Sequence, residues 1–311
     1  MVIKILPYIP KNLQIEISNR CNLNCFLCPK GRGEINRKRK DIPIDYFKDV
    51  IHEIKEKDPY LQLWNYGEPF LHSKISQIID SIPSVFSYCD ISTNGHYMNK
   101  DLAKTIISSG ITKVIFGIDG LNQKTYEKYR KGGRLEKVLE NIRILSKIRE
   151  EYTSDLKINV QFIALKHNFD QIPRLGDFFY PMGVDEIKVK SAMMMFDENN
   201  DYLTSIAKEY LSLNYPGERY ELRDDGVHNK GEPIDNCPLL EESIVITTDE
   251  KFLICCWDFK SEYPIPTTDV VNEVRPVVNS DDPPNMCLRC PVRFQKSLSW
   301  DWDKVPGVEY P

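Results

Sequence analysis

Apolar, β-branched runs alternate with amphipathic helical segments over roughly the first 190 residues, and this alternation constrains the fold more than any other feature. Strands this apolar, separated by helices, predict a parallel sheet covered by helices. Six strand–helix units can be traced, of which the sixth helix is the least regular. The predicted strands, some with the turn after them, are LQIEIS (13–18), LQLWNYGEP (61–69), YCDISTNG (88–95), TKVIFGIDG (112–120), LKINVQFIAL (156–165) and VDEIKVKS (184–191).

The alternation ends after Ser191. A short helix is predicted over 201–212, and ESIVITTDEKFLICCWDF (242–259) predicts a β-hairpin with its turn near Thr248–Lys251. The remainder is rich in proline and aspartate. We therefore expect a barrel-like domain over 1–191, a linker region over 192–235 and a small C-terminal domain over 236–311.

Composition excludes some functional classes. The 41 basic and 46 acidic residues give a net charge of −5, which argues against a nucleic-acid-binding protein. No apolar run approaches the ~20 residues of a membrane span, and residues 1–10 lack the pattern of a signal peptide. A cytoplasmic location, with no membrane partner, is expected. Nine reduced cysteines then indicate metal ligands or redox groups.

Three of these cysteines lie within eight residues, directly after the first predicted strand: Cys21, Cys25 and Cys28. Chemistry in parallel α/β folds gathers at the carboxyl ends of the strands. The spacing suits three corners of a [4Fe–4S] cluster whose fourth iron has no protein ligand, a position that an amine and a carboxylate of a substrate could chelate. The alternative is a zinc site that borrows a distant ligand. YGEP, STNG and GIDG also come directly after strands, so four unusual loops share one rim.

In combination these loops resemble the motifs of the radical S-adenosylmethionine (SAM) enzymes. The resemblance covers roughly residues 11–191 and implies a partial (β/α)6 barrel with SAM bound to the open iron. It also implies reductive cleavage of SAM to methionine and a 5′-deoxyadenosyl radical, which removes a hydrogen atom from a substrate. A reducing partner such as flavodoxin or ferredoxin is implied as well.

Carried over residue by residue, the resemblance assigns Cys21, Cys25 and Cys28 to the cluster. The SAM-binding candidates are Gly67, Glu68 and Pro69 for the amino group, Thr93 and Asn94 for the methionine or ribose part, Asp119 for the ribose and Arg130 for the carboxylate. Ordinary turn chemistry is the alternative for the loop residues, since Asn-Gly and Asp-Gly form turns in many proteins. Family members commonly carry an aromatic residue before the third cysteine, where this chain has Leu27 preceded by Phe26.

A second group of cysteines surrounds the predicted hairpin: Cys237, Cys255, Cys287 and Cys290. Their spacing alone fits a structural zinc ribbon or a second iron–sulfur cluster. Beside the first motif, they resemble the C-terminal twitch or SPASM extension of radical SAM enzymes, which implies one auxiliary [4Fe–4S] cluster.

Cys256 is left over. Strand alternation predicts that its thiol points away from the ligand Cys255. It is either a small buried residue or a hydrogen-atom donor to a substrate radical.

The expected fold class is therefore α/β, a partial (β/α)6 barrel with a small C-terminal β-hairpin iron–sulfur domain. The motif begins at residue 21, so we expect no peptide-recognition domain before it. The single-cluster extension resembles that of aminocyclitol dehydrogenases and aminoglycoside epimerases, which implies a small polar substrate and either dehydrogenation, which we favour, or epimerisation. The alternatives are a peptide maturase that forms a thioether, a cross-link or a D-residue, and a non-enzymatic iron–sulfur electron carrier.

Overall fold

The computed structural model describes residues 5–194, 200–212, 218–232, 237, 242–265, 287, 290 and 299–301. Six parallel strands form its centre, and each overlaps a segment that the sequence predicts to be a strand. They are β1 Asn12–Ile15, β2 Tyr60–Leu63, β3 Cys89–Thr93, β4 Lys113–Gly117, β5 Lys157–Ala164 and β6 Glu186–Ser191.

The helices of this region come after the strands in the predicted order. Two of them begin at an asparagine that caps the first turn: Asn99 accepts a hydrogen bond from Leu102 N, and Asn122 accepts one from Thr125 N. The helices are α1 Pro29–Arg32, α2 Ile44–Ile54, α3 Ile75–Asp80, α4 Lys100–Ile107, α5 Gln123–Tyr129, α6 Leu135–Glu151 and α7 Leu175–Phe179. Short 3₁₀ turns flank α7, at Phe169–Arg174 and Tyr180–Met182, so the least regular predicted helix is a broken one.

Sheet order places neighbouring strands of the sequence side by side. The nine strands run in the order β10-β9-β1-β2-β3-β4-β5-β6-β11, where β9 is Ser243–Ile246, β10 is Phe252–Leu253 and β11 is Ser299–Asp301. Every pair from β9 to β6 is parallel, and the two edge strands are antiparallel to their neighbours. The α/β fold with a mostly parallel sheet is confirmed.

One core fills the space between the sheet and its helices. On each central strand, residues that point into this core alternate with residues that point to the other side of the sheet. That other side is the inner face of the partial barrel. On β5, for example, Val160 and Phe162 are fully buried among the core side chains, whereas Gln161 and Ile163 line a cavity on the inner face.

Two features after Ser191 match or extend the predictions. Helix α8 spans Asn200–Tyr210, as predicted. The predicted hairpin is also present as β9 and β10, with Thr247 N and Lys251 O hydrogen-bonded across its turn. An additional hairpin, β7 Tyr220–Arg223 and β8 Gly226–Asn229, lies in the polar stretch to which the sequence analysis assigned no strand.

No helix in the described ranges is both long enough and apolar enough to cross a lipid bilayer.

Candidate active site

The first three cysteines lie in a loop directly after β1. Cys28 N donates a hydrogen bond to Cys25 O over 3.1 Å, and α1 begins immediately afterwards at Pro29. Gly31 in this helix approaches the loop so closely that a Cβ atom there would lie 2.2 Å from Cys25 O. The cysteine loop is therefore held against the short helix α1.

These thiols line one cavity of about 250 Å³ at the carboxyl ends of the parallel strands. Burial raises the pKa of Cys21 to about 11 and that of Cys25 to about 12. The charge of Cys28 raises both pKa values further, so the three thiols are close enough to act on one another. The other lining residues are Leu23, Lys30, Gly31, Trp64, Asn65, Gly67, Glu68, Ser92, Thr93, Asn94, Gly117, Tyr129, Arg130, Gln161 and Ile163.

The GEP turn after β2 packs directly on the cysteine loop. Gly67 has φ +126°, and a Cβ atom there would lie 2.1 Å from Ser18 O, so the position requires glycine. Glu68 N donates to Arg20 O over 2.7 Å. Pro69 is buried and begins a 3₁₀ turn, Pro69–Leu71, whose Phe70 N donates to the Glu68 carboxylate.

The Glu68 carboxylate joins this turn to the STNG loop after β3. Thr93 Oγ1 donates to Glu68 Oε1 over 2.7 Å, and Asn94 N donates to Glu68 Oε2 over 2.7 Å. Complete burial raises the pKa of Glu68 to about 7, although these hydrogen bonds act to lower it. Asn94 Nδ2 in turn donates to Asn22 Oδ1 over 2.8 Å and lies 3.8 Å from Cys21 Sγ.

Arg130 reaches the cavity from the end of α5. Its Nε donates to Asp119 Oδ2 over 2.5 Å, and a Cβ atom at Gly117 would lie 2.4 Å from its guanidinium. Burial acts to lower the pKa of Arg130, but the Asp119 carboxylate, together with Cys25, Tyr129 and Tyr126, raises it well above the usual value. The guanidinium is therefore a fixed positive charge in the cavity wall.

Asp119 has a different position from the other candidates. Its second carboxylate oxygen accepts a hydrogen bond from Ile163 N over 2.6 Å, and its side chain is fully buried outside the cavity lining. In this arrangement Asp119 orients Arg130. A contact between Asp119 and a ribose stays a prediction.

Sequence reasoning did not assign several cavity residues, among them Lys30, Asn65, Ser92 and Gln161. Strand alternation was the signal that could have found two of them, because Ser92 and Gln161 point to the inner face. Trp64, which the sequence places next to the GEP turn, also lines the cavity.

Asn65 Nδ2 is buried and has no hydrogen-bond partner among the described residues. A buried donor of this kind normally has an acceptor, so the cavity suits a polar ligand.

The donor set fits a [4Fe–4S] cluster with SAM beside it. Three neighbouring thiols can supply three ligands, and Glu68, Asn65 and the Arg130 guanidinium offer complementary groups for an ammonium and a carboxylate. Among the residues that the structure describes, no three His, Cys, Asp or Glu side chains converge on a single metal ion.

Phe26, the aromatic residue nearest the third cysteine, forms part of an aromatic group outside the cavity lining. Its ring lies edge-on to Tyr129 at 5.2 Å and tilted over Tyr210 at 4.1 Å between ring centroids. Leu27 is buried among apolar side chains. Phe26 therefore packs the cysteine loop against α5 and α8.

Three of the four C-terminal cysteines lie near one another. Cys290 N is hydrogen-bonded to Cys287 O over 3.4 Å, and the charge of Cys290 acts on Cys255. Cys237 is partly buried and packs against the main core.

The predicted orientation of Cys256 is wrong. Strand β10 ends at Leu253, so Cys255 and Cys256 lie in the turn after it, where strand alternation does not apply. Their thiols hydrogen-bond each other, which raises the pKa of Cys255 and lowers that of Cys256. The two side chains therefore point to the same region and not to opposite faces.

Comparison with known proteins identifies the family. Residues 15–161, which span the cysteine loop and strands β2 to β4, match the model of the radical SAM superfamily. This region is a radical SAM domain. The cavity at the carboxyl ends of its strands is accordingly the site of a radical SAM enzyme, which the superfamily implies to bind SAM and a [4Fe–4S] cluster.

Two known proteins are similar to this chain in sequence over most of its length. The tungsten-containing aldehyde ferredoxin oxidoreductase cofactor-modifying protein of Pyrococcus furiosus is 27% identical over 80% of this chain and 69% of its own length. The GTP 3′,8-cyclase of Lactiplantibacillus plantarum is 26% identical over 65% of this chain and 58% of the cyclase.

Solved structures share the fold. Streptococcus suis SuiB bound to S-adenosylmethionine gives a TM-score of 0.59 at 16% identity, over 93% of this chain and 77% of SuiB. The structure of anSMEcpe with bound AdoMet gives a TM-score of 0.57 at 12% identity, over 93% of this chain and 81% of that protein. At these identities the likeness concerns the fold alone.

Proposed function

We propose that this radical SAM enzyme abstracts a hydrogen atom from a small polar substrate bound on the inner face of the barrel, next to SAM. One observation carries the proposal: the cysteine loop, the Glu68–Asn94 pair and Arg130 line a single cavity to which the inner face of β5 contributes Gln161 and Ile163. When bound, a [4Fe–4S] cluster supplies the electron that cleaves SAM into methionine and a 5′-deoxyadenosyl radical.

The chain's own residues have three tasks in this proposal. Cys21, Cys25 and Cys28 would hold the cluster and leave one iron for SAM. Glu68 and Arg130 are held rigidly by buried hydrogen bonds, so they would orient the two charged groups of the SAM amino acid without reorganising. The deep position at the strand ends would keep water away from reactive species.

A small polar substrate is favoured over a peptide by the character of the inner face and by the relatives. The named relatives act, by their names, on GTP and on a cofactor, and both are small molecules. Likeness to SuiB concerns the fold and does not indicate a peptide substrate. A cavity that suits SAM also argues against a non-enzymatic electron carrier, because such a protein needs no SAM site.

For the reaction we propose dehydrogenation first and epimerisation second. Dehydrogenation needs an electron acceptor, and Cys237, Cys255, Cys287 and Cys290 would hold an auxiliary [4Fe–4S] cluster able to serve as one. The effect of Cys290 on Cys255 supports this grouping. Epimerisation needs a hydrogen-atom donor, for which Cys256 is the candidate.

The auxiliary site predicts a metal content. Anaerobically isolated protein should carry about eight iron atoms per chain and little zinc, because two four-iron clusters would be present. Both metals are measured by elemental mass spectrometry of the purified protein. Stoichiometric zinc with about four iron would mean that the C-terminal cysteines form a structural site, and dehydrogenation would lose its acceptor.

The substrate class can be tested by tracing deuterium into 5′-deoxyadenosine. The reduced, reconstituted protein is incubated with SAM and either the small-molecule or the peptide fraction of a fully deuterated cell extract. We expect deuterated 5′-deoxyadenosine with the small-molecule fraction. Deuterium transferred from the peptide fraction alone would instead establish a peptide-modifying enzyme.

A further inference from the structure

His96 lies behind the wall of the SAM cavity, directly after the STNG loop. The residue is only 6% exposed, and it does not itself line the cavity. Both of its ring nitrogens have hydrogen-bond partners within the protein. Nε2 lies 2.8 Å from Arg134 N at the start of α6, and Nδ1 lies 2.8 Å from Asn94 Oδ1 and 3.1 Å from Asn94 O.

The partner of Nε2 determines which ring nitrogen of His96 carries the proton. The backbone amide of Arg134 can only donate, so Nε2 accepts and has no hydrogen of its own. In the neutral ring the proton is therefore on Nδ1, which donates to the Asn94 side chain. Burial lowers the pKa of His96, although its hydrogen bond with the Asn94 backbone acts in the opposite direction, so the neutral ring is favoured at neutral pH.

A second backbone donor fixes the orientation of the Asn94 amide. His96 N donates over 3.1 Å to Asn94 Oδ1, so this atom is the carbonyl oxygen and the NH₂ group lies at the other end of the amide. There Asn94 Nδ2 donates to Asn22 Oδ1 over 2.8 Å and to Cys21 Sγ over 3.8 Å. His96 thus holds the oxygen of an amide whose NH₂ group faces a cysteine of the first group.

A hydrogen bond to a ligand sulfur changes the reduction potential of an iron–sulfur cluster. It stabilises the more negative, reduced state, so the potential rises. Cys21 Sγ accepts one such bond from Leu23 N over 3.4 Å, within the cysteine loop itself. Asn94 brings a second donor from a different loop, and the Nδ1–H of His96 both holds its amide in place and polarises it.

We propose that His96 is a positioning residue that directs the Asn94 amide to the Cys21 sulfur and so raises the reduction potential of the cluster. This inference rests on the proposed function, because that function places the cluster on the first three cysteines. A higher potential makes the cluster easier to reduce by a partner but lowers the driving force with which the reduced cluster cleaves SAM. His96 and Asn94 therefore set the balance between these two steps.

The proposal is tested by a potentiometric titration of reconstituted protein without SAM, followed by electron paramagnetic resonance. The signal of interest is the one absent from the variant in which the first three cysteines are all replaced by alanine. His72→Gln is the matched control. His72 is also a buried histidine with backbone partners at both nitrogens, Ile42 O and Lys74 N, but it lies outside the cavity lining and has no bond to Asn94.

Three single variants separate the two hydrogen bonds of the His96 ring. Asn94→Ala removes the donor to the sulfur. A glutamine amide reaches the position of Nε2, so His96→Gln keeps an acceptor for Arg134 N and loses the donor to Asn94. An asparagine amide reaches the position of Nδ1, so His96→Asn keeps that donor and leaves Arg134 N without its acceptor.

We expect Asn94→Ala to shift the redox equilibrium about tenfold toward the oxidised cluster, which lowers the potential by about 59 mV. His96→Gln should shift it about threefold in the same direction, or about 28 mV. His96→Asn and His72→Gln should match wild type. The double variant Asn94→Ala/His96→Gln should match Asn94→Ala, because His96 acts only through Asn94.

Equal potentials in all of these proteins would overturn the proposal, since a merely structural His96 would change stability alone. A potential as low in His96→Asn as in His96→Gln, or a further shift in the double variant, would overturn it too. If wild type lacked the signal altogether, the cluster assignment in the proposed function would be refuted. A normal wild-type signal with equal potentials would instead refute only the role of His96 and Asn94.

Discussion

Single residues at the strand ends determine whether the motifs can meet. Gly67 allows the GEP turn to touch the cysteine loop, because a side chain there would collide with the backbone of Ser18. Glu68 then ties that turn to Thr93 and Asn94 through both carboxylate oxygens. Three loops that are far apart in sequence thus share one small set of buried hydrogen bonds.

Replacing Gly67 by alanine should damage SAM binding selectively. The new Cβ atom would lie 2.1 Å from Ser18 O, so the GEP turn must move away from the cysteine loop. We expect SAM affinity, measured by equilibrium dialysis, to fall by about tenfold or more. Gly33→Ala is the matched control: Gly33 also has a positive φ, +79°, but a Cβ there meets nothing within 4 Å. Equal SAM affinities for the two variants would contradict this role of Gly67.

At the scale of elements, the basic segment 30–40 connects the barrel to the C-terminal hairpin. Arg37 forms two hydrogen bonds with the fully buried Glu16, at 2.6 and 2.8 Å, and one with Asp249 in the β9–β10 turn at 3.1 Å. Thr248 N donates to the same Glu16 carboxylate. The charge pattern of segment 30–40 is typical of a solvated loop. Arg37 in this segment is nevertheless a structural residue, and local charge alone could not predict that role.

Arg37→Met should destabilise the protein strongly, because Glu16 would remain buried without its cation. We expect a loss of about 3–5 kcal/mol in the free energy of unfolding and a smaller loss in the double variant Arg37→Met/Glu16→Gln. Arg39→Met, which removes an exposed arginine two residues away, should change stability by less than about 0.5 kcal/mol. Chemical denaturation measures all three. A double variant as unstable as Arg37→Met would show that the buried charge is not the cause.

Local patterns predicted the elements well and their long-range partners poorly. The six strands and the β9–β10 hairpin could be predicted from apolar, β-branched runs, and the rim loops from strand order. The pairing of β9 with β1 joins residues far apart in sequence, such as Leu13 and Ile244, which no local pattern encodes. The Cys256 prediction failed because it extended strand alternation past Leu253, where the strand has ended.

For the whole molecule, the pairing of β9 with β1 brings the C-terminal cysteine turn next to the SAM cavity. The Tyr66 hydroxyl, beside the GEP turn, donates to Cys256 O over 2.5 Å, and the Tyr66 ring lies edge-on to Phe259. The charges of Cys28 and Cys255 also act on Tyr66. One cysteine of the first group and the Cys255–Cys256 turn thus lie near a common tyrosine.

The central claim is that Cys21, Cys25 and Cys28 hold a cluster that cleaves SAM. The most direct measurement is 5′-deoxyadenosine formation and iron content in reduced, reconstituted wild type, in the triple alanine variant, and in Cys89→Ala, whose cysteine is buried in β3 away from the cavity. We predict no 5′-deoxyadenosine and a loss of about four iron atoms per chain in the triple variant, with Cys89→Ala matching wild type. Undiminished 5′-deoxyadenosine or unchanged iron in the triple variant would contradict the account.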